Sequence, residues 1–322
     1  WSDGRELVWF DDVAGAECTE VELYSRAGEL PLSIVATQDS AYRIERDGTV
    51  VELFSLTTGW PSGLQELDVS VAEGQMLAMH DGTTPYISGL DGTRFGLFRE
   101  GMWSAGRISP NGNYVALQGY DSSNPAISVF NLDGSFARQI STSAGTNSEA
   151  LAWSSDSVWI ASTRVDNAIE VTPASAARGP TKIADANCAF PTWWDIDTVA
   201  LQCDGAIKLV DMDASRTLNW FDAAGVDDRV RDVAGVRVLY TSGESLFIAS
   251  IDNSDAVALY TGSPGTTFDD VQFDSTGMWT MAIVSDPLAG TDVLVVADLI
   301  PYATEWLTTS PEIVEVAAAW AE

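Results

Sequence analysis

One histidine, three cysteines and 47 carboxylates set the chemistry open to this 322-residue chain. A Ser-His-Asp triad, a Cys-His dyad or a multi-histidine zinc or copper site would have to be built on His80 alone. In His80-Asp81-Gly82 that histidine closes a strand and reads as a turn residue, so no catalytic residue is assigned. Haem and quinone-type cofactors would want further histidines or vicinal cysteines, so no cofactor is expected. Calcium suits a carboxylate-rich chain, yet no Asp-x-Asp-x-Asp-Gly loop with a glutamate at its twelfth position occurs, and no metal ligands are assigned.

The carboxylates face only 16 Lys and Arg, giving a net charge of −31. Phosphate affinity comes from basic clusters that release counterions, so nucleic acid is excluded as a partner. An anionic membrane surface is excluded for the same reason. No apolar run approaches the roughly 18–20 residues that span a bilayer, so membrane insertion is not expected. With 46% hydrophobic residues the chain has ample core material. It opens on Trp1 without a basic-then-apolar leader, which reads as a processed chain or an excised domain.

The elements that must position these groups are short strands. Ser109-Pro-Asn-Gly-Asn-Tyr-Val-Ala116, Ser154-Ser-Asp-Ser-Val-Trp-Ile-Ala161 and Asp274-Ser-Thr-Gly-Met-Trp-Thr-Met281 share a turn followed by an apolar strand. Weaker copies begin at Asp3, Asp39, Glu73, Asp195 and Ala234. About a dozen residues on comes an alternating strand, best seen in Ile127–Gly134, Ile207–Ala214 and Leu246–Asn253. Period-2 alternation between Gly, Asp, Asn and Ser turns is the mark of antiparallel strands. Eight such units of about 40 residues each predict an all-β fold: one closed β-propeller over 1–322 with eight four-stranded blades, seven being the alternative. Within a unit, strand A precedes the turn, B follows it, C is the second signature and D comes last. Residues 313–320 look like an orphan strand A and residues 2–10 like an orphan turn and strand B, so strand 313–320 should complete the blade beginning at 2–10.

The units resemble the TolB-like, WD-repeat-like group of β-propellers, with Ser109-Pro110-Asn111-Gly112 and Asn131-Leu132-Asp133-Gly134 as the nearest copies of its motifs. Ser154-Ser-Asp-Ser157 departs from the pattern by lacking Pro and Gly. The resemblance implies a binding scaffold rather than a reaction, and its motifs specify blade geometry.

Laid on this frame, the acids gather at one end of the units. B–C connections carry Asp11, Asp12, Asp47, Asp81, Asp121, Asp166, Asp204, Glu244 and Asp286; D–A connections carry Glu100, Asp185, Asp227, Asp228, Asp269 and Asp270. Both kinds emerge on one face of a propeller, which should be strongly negative. Asp also suits turns by bonding its own backbone, and surplus acid aids solvation, so a binding role competes with a plainer one. Centring the sixth hairpin on Asp195-Ile196 sets Cys188 opposite Cys203, at disulfide range, while Cys18 is left over. A disulfide would place the chain outside the cytosol, in an extracellular, periplasmic or cell-surface setting. Trp153, Trp193 and Trp320 recur at the end of strand A and read as packing between blades; Trp60 and Trp220 fall outside that pattern and are candidates for exposed contact.

These features favour a non-catalytic propeller that holds a protein or glycan partner, cationic in the simplest case, through its acidic face. The alternatives are a carbohydrate-active enzyme, or the propeller part of one, using axial Asp and Glu, and a structural subunit of a surface assembly.

Overall fold

The computed structural model describes residues 33–37, 40–44, 50–55, 66–70, 75–79, 85–89, 94–97, 102–121, 124–141, 151–164, 166, 168–175, 181–184, 188–203, 206–212, 217–221, 229–250, 256–274, 277, 279–288, 290–297, 305–307 and 315–320. Among them every element is a strand. The chain runs β1 (Ser33–Thr37), β2 (Ser40–Ile44) and β3 (Val50–Ser55), then in fours. The second sheet is β4 (Glu66–Ser70), β5 (Gln75–Met79), β6 (Tyr86–Gly89) and β7 (Arg94–Leu97). The third is β8 (Met102–Ile108), β9 (Tyr114–Asp121), β10 (Asn124–Asn131) and β11 (Phe136–Ser141). The fourth is β12 (Leu151–Trp153), β13 (Trp159–Thr163), β14 (Ile169–Pro173) and β15 (Thr181–Ala184). The fifth is β16 (Cys188–Trp193), β17 (Thr198–Cys203), β18 (Ala206–Asp211) and β19 (Thr217–Phe221). The sixth is β20 (Arg229–Ala234), β21 (Arg237–Ser242), β22 (Ser245–Ser250) and β23 (Val257–Thr261). The seventh is β24 (Thr267–Phe273), β25 (Trp279–Asp286), β26 (Gly290–Ala297) and β27 (Glu305–Leu307). The last strand, β28 (Glu315–Trp320), pairs antiparallel with β1 and supplies the first sheet's missing member, in the order β28-β1-β2-β3.

The described residues thus form seven four-stranded antiparallel sheets, as propeller blades do, where eight were expected. The difference lies in the first two units. Asp39 does not open an A–B turn: it sits between β1 and β2, which fill the B and C positions beside β28, and Val50–Ser55 is strand D rather than strand C. Strand alternation has the same period in B and C, so a short unit can be read one strand out of step. The described partner of the C-terminal strand is accordingly β1, and residues 2–10 lie outside the described residues.

The conserved geometry of the A–B turn is chemical, not compositional. In each of three sheets the residue opening the turn (Ser109, Ser154, Asp274) donates its backbone N–H to the carbonyl of the first residue of strand B (Tyr114, Trp159, Trp279), and its side-chain oxygen accepts that residue's N–H. The fourth turn residue is left-handed: φ is 66° at Gly112, 60° at Ser157 and 68° at Gly277. Glycine takes this conformation freely and serine does not. Ser157 has a compensating contact, its Oγ accepting the Asn111 N–H of the preceding sheet at 3.0 Å.

The core lies between sheets. Ala116, Ile127 and Val129 of the third pack on Trp153 and Ile160 of the fourth. Ala161 and Val171 of the fourth meet Trp193 and Leu201 of the fifth, Ile207 of the fifth meets Val238 of the sixth, and Leu246 of the sixth meets Phe268 of the seventh. Second strands such as β13 and β25 are consequently buried on both faces, whereas outer strands such as β15 and β23 are half exposed. Ile87, Ile127, Ile169, Ile207 and Leu246 are all fully buried, and each sits at a register shift between strands C and D, so one packing position recurs from sheet to sheet.

The end-of-A tryptophans stitch these interfaces. The Trp153 indole N–H donates to the Arg107 carbonyl (3.0 Å) and that of Trp193 to the Ala152 carbonyl (3.1 Å), each in the preceding sheet. Trp193→Phe keeps an aromatic ring but orphans the Ala152 carbonyl; an expected loss of about 1–2 kcal/mol would be read from denaturant unfolding.

Candidate functional site

Cys188 and Cys203 are register partners and form a disulfide, with a Cα separation of 4.2 Å. The hairpin reaches this pairing by a route the sequence did not show. Near the turn Trp193 pairs with Val199 and Thr192 with Ala200, a register that would carry Cys188 past Cys203. A bulge between Ala189 and Thr192 restores it, with Phe190 at φ 54° and the Arg229 guanidinium 3.7 Å above its ring. The bond fits an oxidising, non-cytoplasmic compartment. No described helix could cross a membrane.

Of the acids expected on one face, Asp11, Asp12, Asp47, Asp81, Asp185, Asp204, Asp227 and Asp228 lie outside the described residues, as does Trp60. In chain order Asp81 falls between β5 and β6, Asp204 between β17 and β18, and Asp227 and Asp228 between β19 and β20. Asp121 ends β9 at the same B–C end. Asp166 is exposed but already engaged: the Arg164 Nε donates to it at 3.0 Å, holding its carboxyl below the usual range, and Arg164 also meets buried Glu170 at 3.4 Å. Asp269 and Asp270 belong to β24 rather than to a loop, Asp270 at φ 46° in a bulge. Trp220 lies on β19, the outer strand of its sheet. Phe136 is half exposed where strand C turns into strand D.

Asp286 is corrected as a face residue, because it is buried and spent inside the fold. It accepts the Tyr260 hydroxyl at 2.8 Å, the Ser263 N–H at 2.9 Å, the Ser263 hydroxyl and the Leu288 N–H at 2.8 Å. These donors hold its carboxyl far below the ordinary range, the Ser263 hydroxyl foremost. The carboxylate latches the loop leaving β23 onto the end of β25. A carboxylate with a depressed folded pKa stabilises above its unfolded value and loses that contribution as acid protonates it. Asp286→Asn should lower the melting temperature at neutral pH and flatten its decline below about pH 4.

A second constellation went unnoticed in the sequence. The β20–β21 hairpin turns through only Gly235 and Val236, with Gly235 at φ 59°, whereas neighbouring A–B turns span 109–114, 154–159 and 274–279. The short turn leaves an open cleft of about 550 Å³ beside the Asp274 turn, lined by Asp232, Val233, Ala234, Gly235, Val236, Arg237, Phe273, Asp274 and Gly277. Gly277 closes one side so tightly that a Cβ there would lie 2.8 Å from that of Ala234. Asp232 accepts the N–H groups of Val233 (2.8 Å) and Phe273 (2.7 Å). Burial nevertheless pushes its carboxyl up to about 6, because these two donors only partly replace water around the charge. Arg237 stretches over the Phe273 ring, 5.7 Å from its centre. The clue available in sequence was the brevity of Ala234-Gly-Val-Arg237 against its longer relatives.

Among the described residues no three His, Cys, Asp or Glu side chains converge as metal ligands. Compared with known proteins, the chain matches no protein-family model and has no significant match among curated proteins.

An acid whose folded pKa is raised costs stability as it ionises, so the Asp232 contribution is full below about pH 4 and lost as pH rises through 6. Asp232→Asn should remove that part of the slope of melting temperature between pH 4 and 6; an unchanged slope would show that Asp232 is not the titrating group.

Proposed function

We propose that the chain is a non-catalytic, extracytoplasmic, TolB-like propeller of seven blades that binds a basic partner through the acidic B–C end of its sheets. Closure of the ring is supported by the order of its first strands: β4, β8, β12, β16, β20, β24 and β28 each lie beside the next, and β28 beside β4. What supports the binding reading is chain order: an acid falls between the second and third strands or at the end of the second in sheet after sheet, at Asp81, Asp121, Asp166, Asp204 and Glu244, and connections of that kind share one end of an antiparallel sheet. Loops displayed by a rigid β scaffold are where binding residues concentrate, and a field of one sign speeds encounter with a partner of the other. The disulfide supports the compartment.

A decalysine peptide is the simplest basic probe. Isothermal titration should give affinity that falls steeply with salt. The variant Asp81→Asn/Asp121→Asn/Asp204→Asn should lose roughly fivefold or more affinity relative to Asp133→Asn/Asp156→Asn/Asp195→Asn, which removes equal charge from the opposite end. Equal losses in the two variants would reduce the acidity to general solvation and defeat the proposal.

A further inference from the structure

We propose that the cleft between the β20–β21 hairpin and the β24–β25 turn binds a small zwitterion, a free α-amino acid with an aliphatic side chain, its ammonium on Asp232 and its carboxylate on Arg237. The register carries the argument. Asp232 pairs with Leu239 and Ala234 with Arg237, so Asp232 and Arg237 project from the same face of the hairpin as diagonal neighbours. Such positions stand about 7–8 Å apart, a span that an α-amino acid and its hydrogen bonds can bridge. Both residues line the cleft.

The Asp232 carboxylate receives a backbone N–H on each oxygen, and no cation pairs with it among the described residues. Each oxygen retains a further lone pair for an ammonium. The guanidinium of Arg237 has five N–H donors, enough to serve a ligand carboxylate beside the contacts it already makes. A simple cation would meet repulsion from Arg237, and a simple anion would meet it from Asp232 and Asp274; a molecule bearing both charges satisfies each wall. Ala234 and Val236 supply an apolar lining for an aliphatic side chain, and the volume far exceeds the roughly 30 Å³ share of a water molecule.

Isothermal titration with L-leucine tests this directly, against N-acetyl-L-leucine, which lacks the ammonium, and L-leucinamide, which lacks the carboxylate. Leucine should bind saturably at one site per chain, and each blocked derivative at least about tenfold more weakly, as should leucine with Asp232→Asn or Arg237→Gln. Val236→Trp is a second variant that leaves both charges in place: Val236 is 62% exposed, so the substitution fills the cleft without touching the core, and it should abolish binding. Absence of saturable heat with leucine, leucinamide binding as tightly as leucine, or binding that survives Val236→Trp would each overturn the proposal.

Discussion

A four-stranded antiparallel sheet with apolar side chains on both faces cannot stand alone in water, and that constraint governs this molecule. Second strands such as β13, β21 and β25 bury nearly every residue, so each sheet must be covered on both sides by others like it. Stability in such arrays is held at the interfaces between units more than within any one of them. The clusters joining the second to the third, the third to the fourth, and onward to the seventh sheet are those interfaces. Polar links reinforce them where a main-chain group would otherwise be orphaned: the indoles of Trp153 and Trp193, the Ser157 hydroxyl, and the carboxylates of Asp232 and Asp286.

The same carboxylate chemistry divides into structural and available groups, and exposure alone does not separate them. Asp286 and Asp232 both accept backbone N–H donors, yet their proton affinities move in opposite directions. Asp286 collects four donors, two of them hydroxyls, enough to outweigh desolvation; Asp232 has two, and desolvation wins. The two therefore set opposing pH dependences, one lost in acid and one lost as acid is withdrawn. The B–C connections and the charged cleft lie at opposite ends of the strands, since A–B and B–C connections alternate.

Strand positions were legible where turn chemistry is strong. The turns at Ser109, Ser154 and Asp274 mark A–B hairpins in sequence and in space, because one side-chain oxygen and one left-handed residue recur in each. The first sheet was harder, since alternation cannot tell strand B from strand C, and an aspartate in sequence suits a turn of either kind. The Cys188–Cys203 pairing was legible from hairpin symmetry, though the bulge at Phe190 that preserves it was not: bulges answer to packing across sheets, here the Arg229 guanidinium, which a single strand does not display. Asp286 misled because a turn aspartate looks the same whether its donors are water or Tyr260 and Ser263. Asp232 and Arg237 escaped notice because their proximity comes from cross-strand register and from the absence of a longer turn.

The C-terminal strand β28 supplies the edge strand beside β1 in its sheet, joining the end of the chain to its first described strand. Val35 and Ala318 are register partners in that pairing. Cysteines placed at both positions, with Cys18 replaced by serine, should form an intramolecular disulfide under mild oxidation, read as a chain-linked peptide pair in mass spectrometry. Failure to link positions 35 and 318, with a cysteine at 318 linking instead to one placed at position 8, would contradict it.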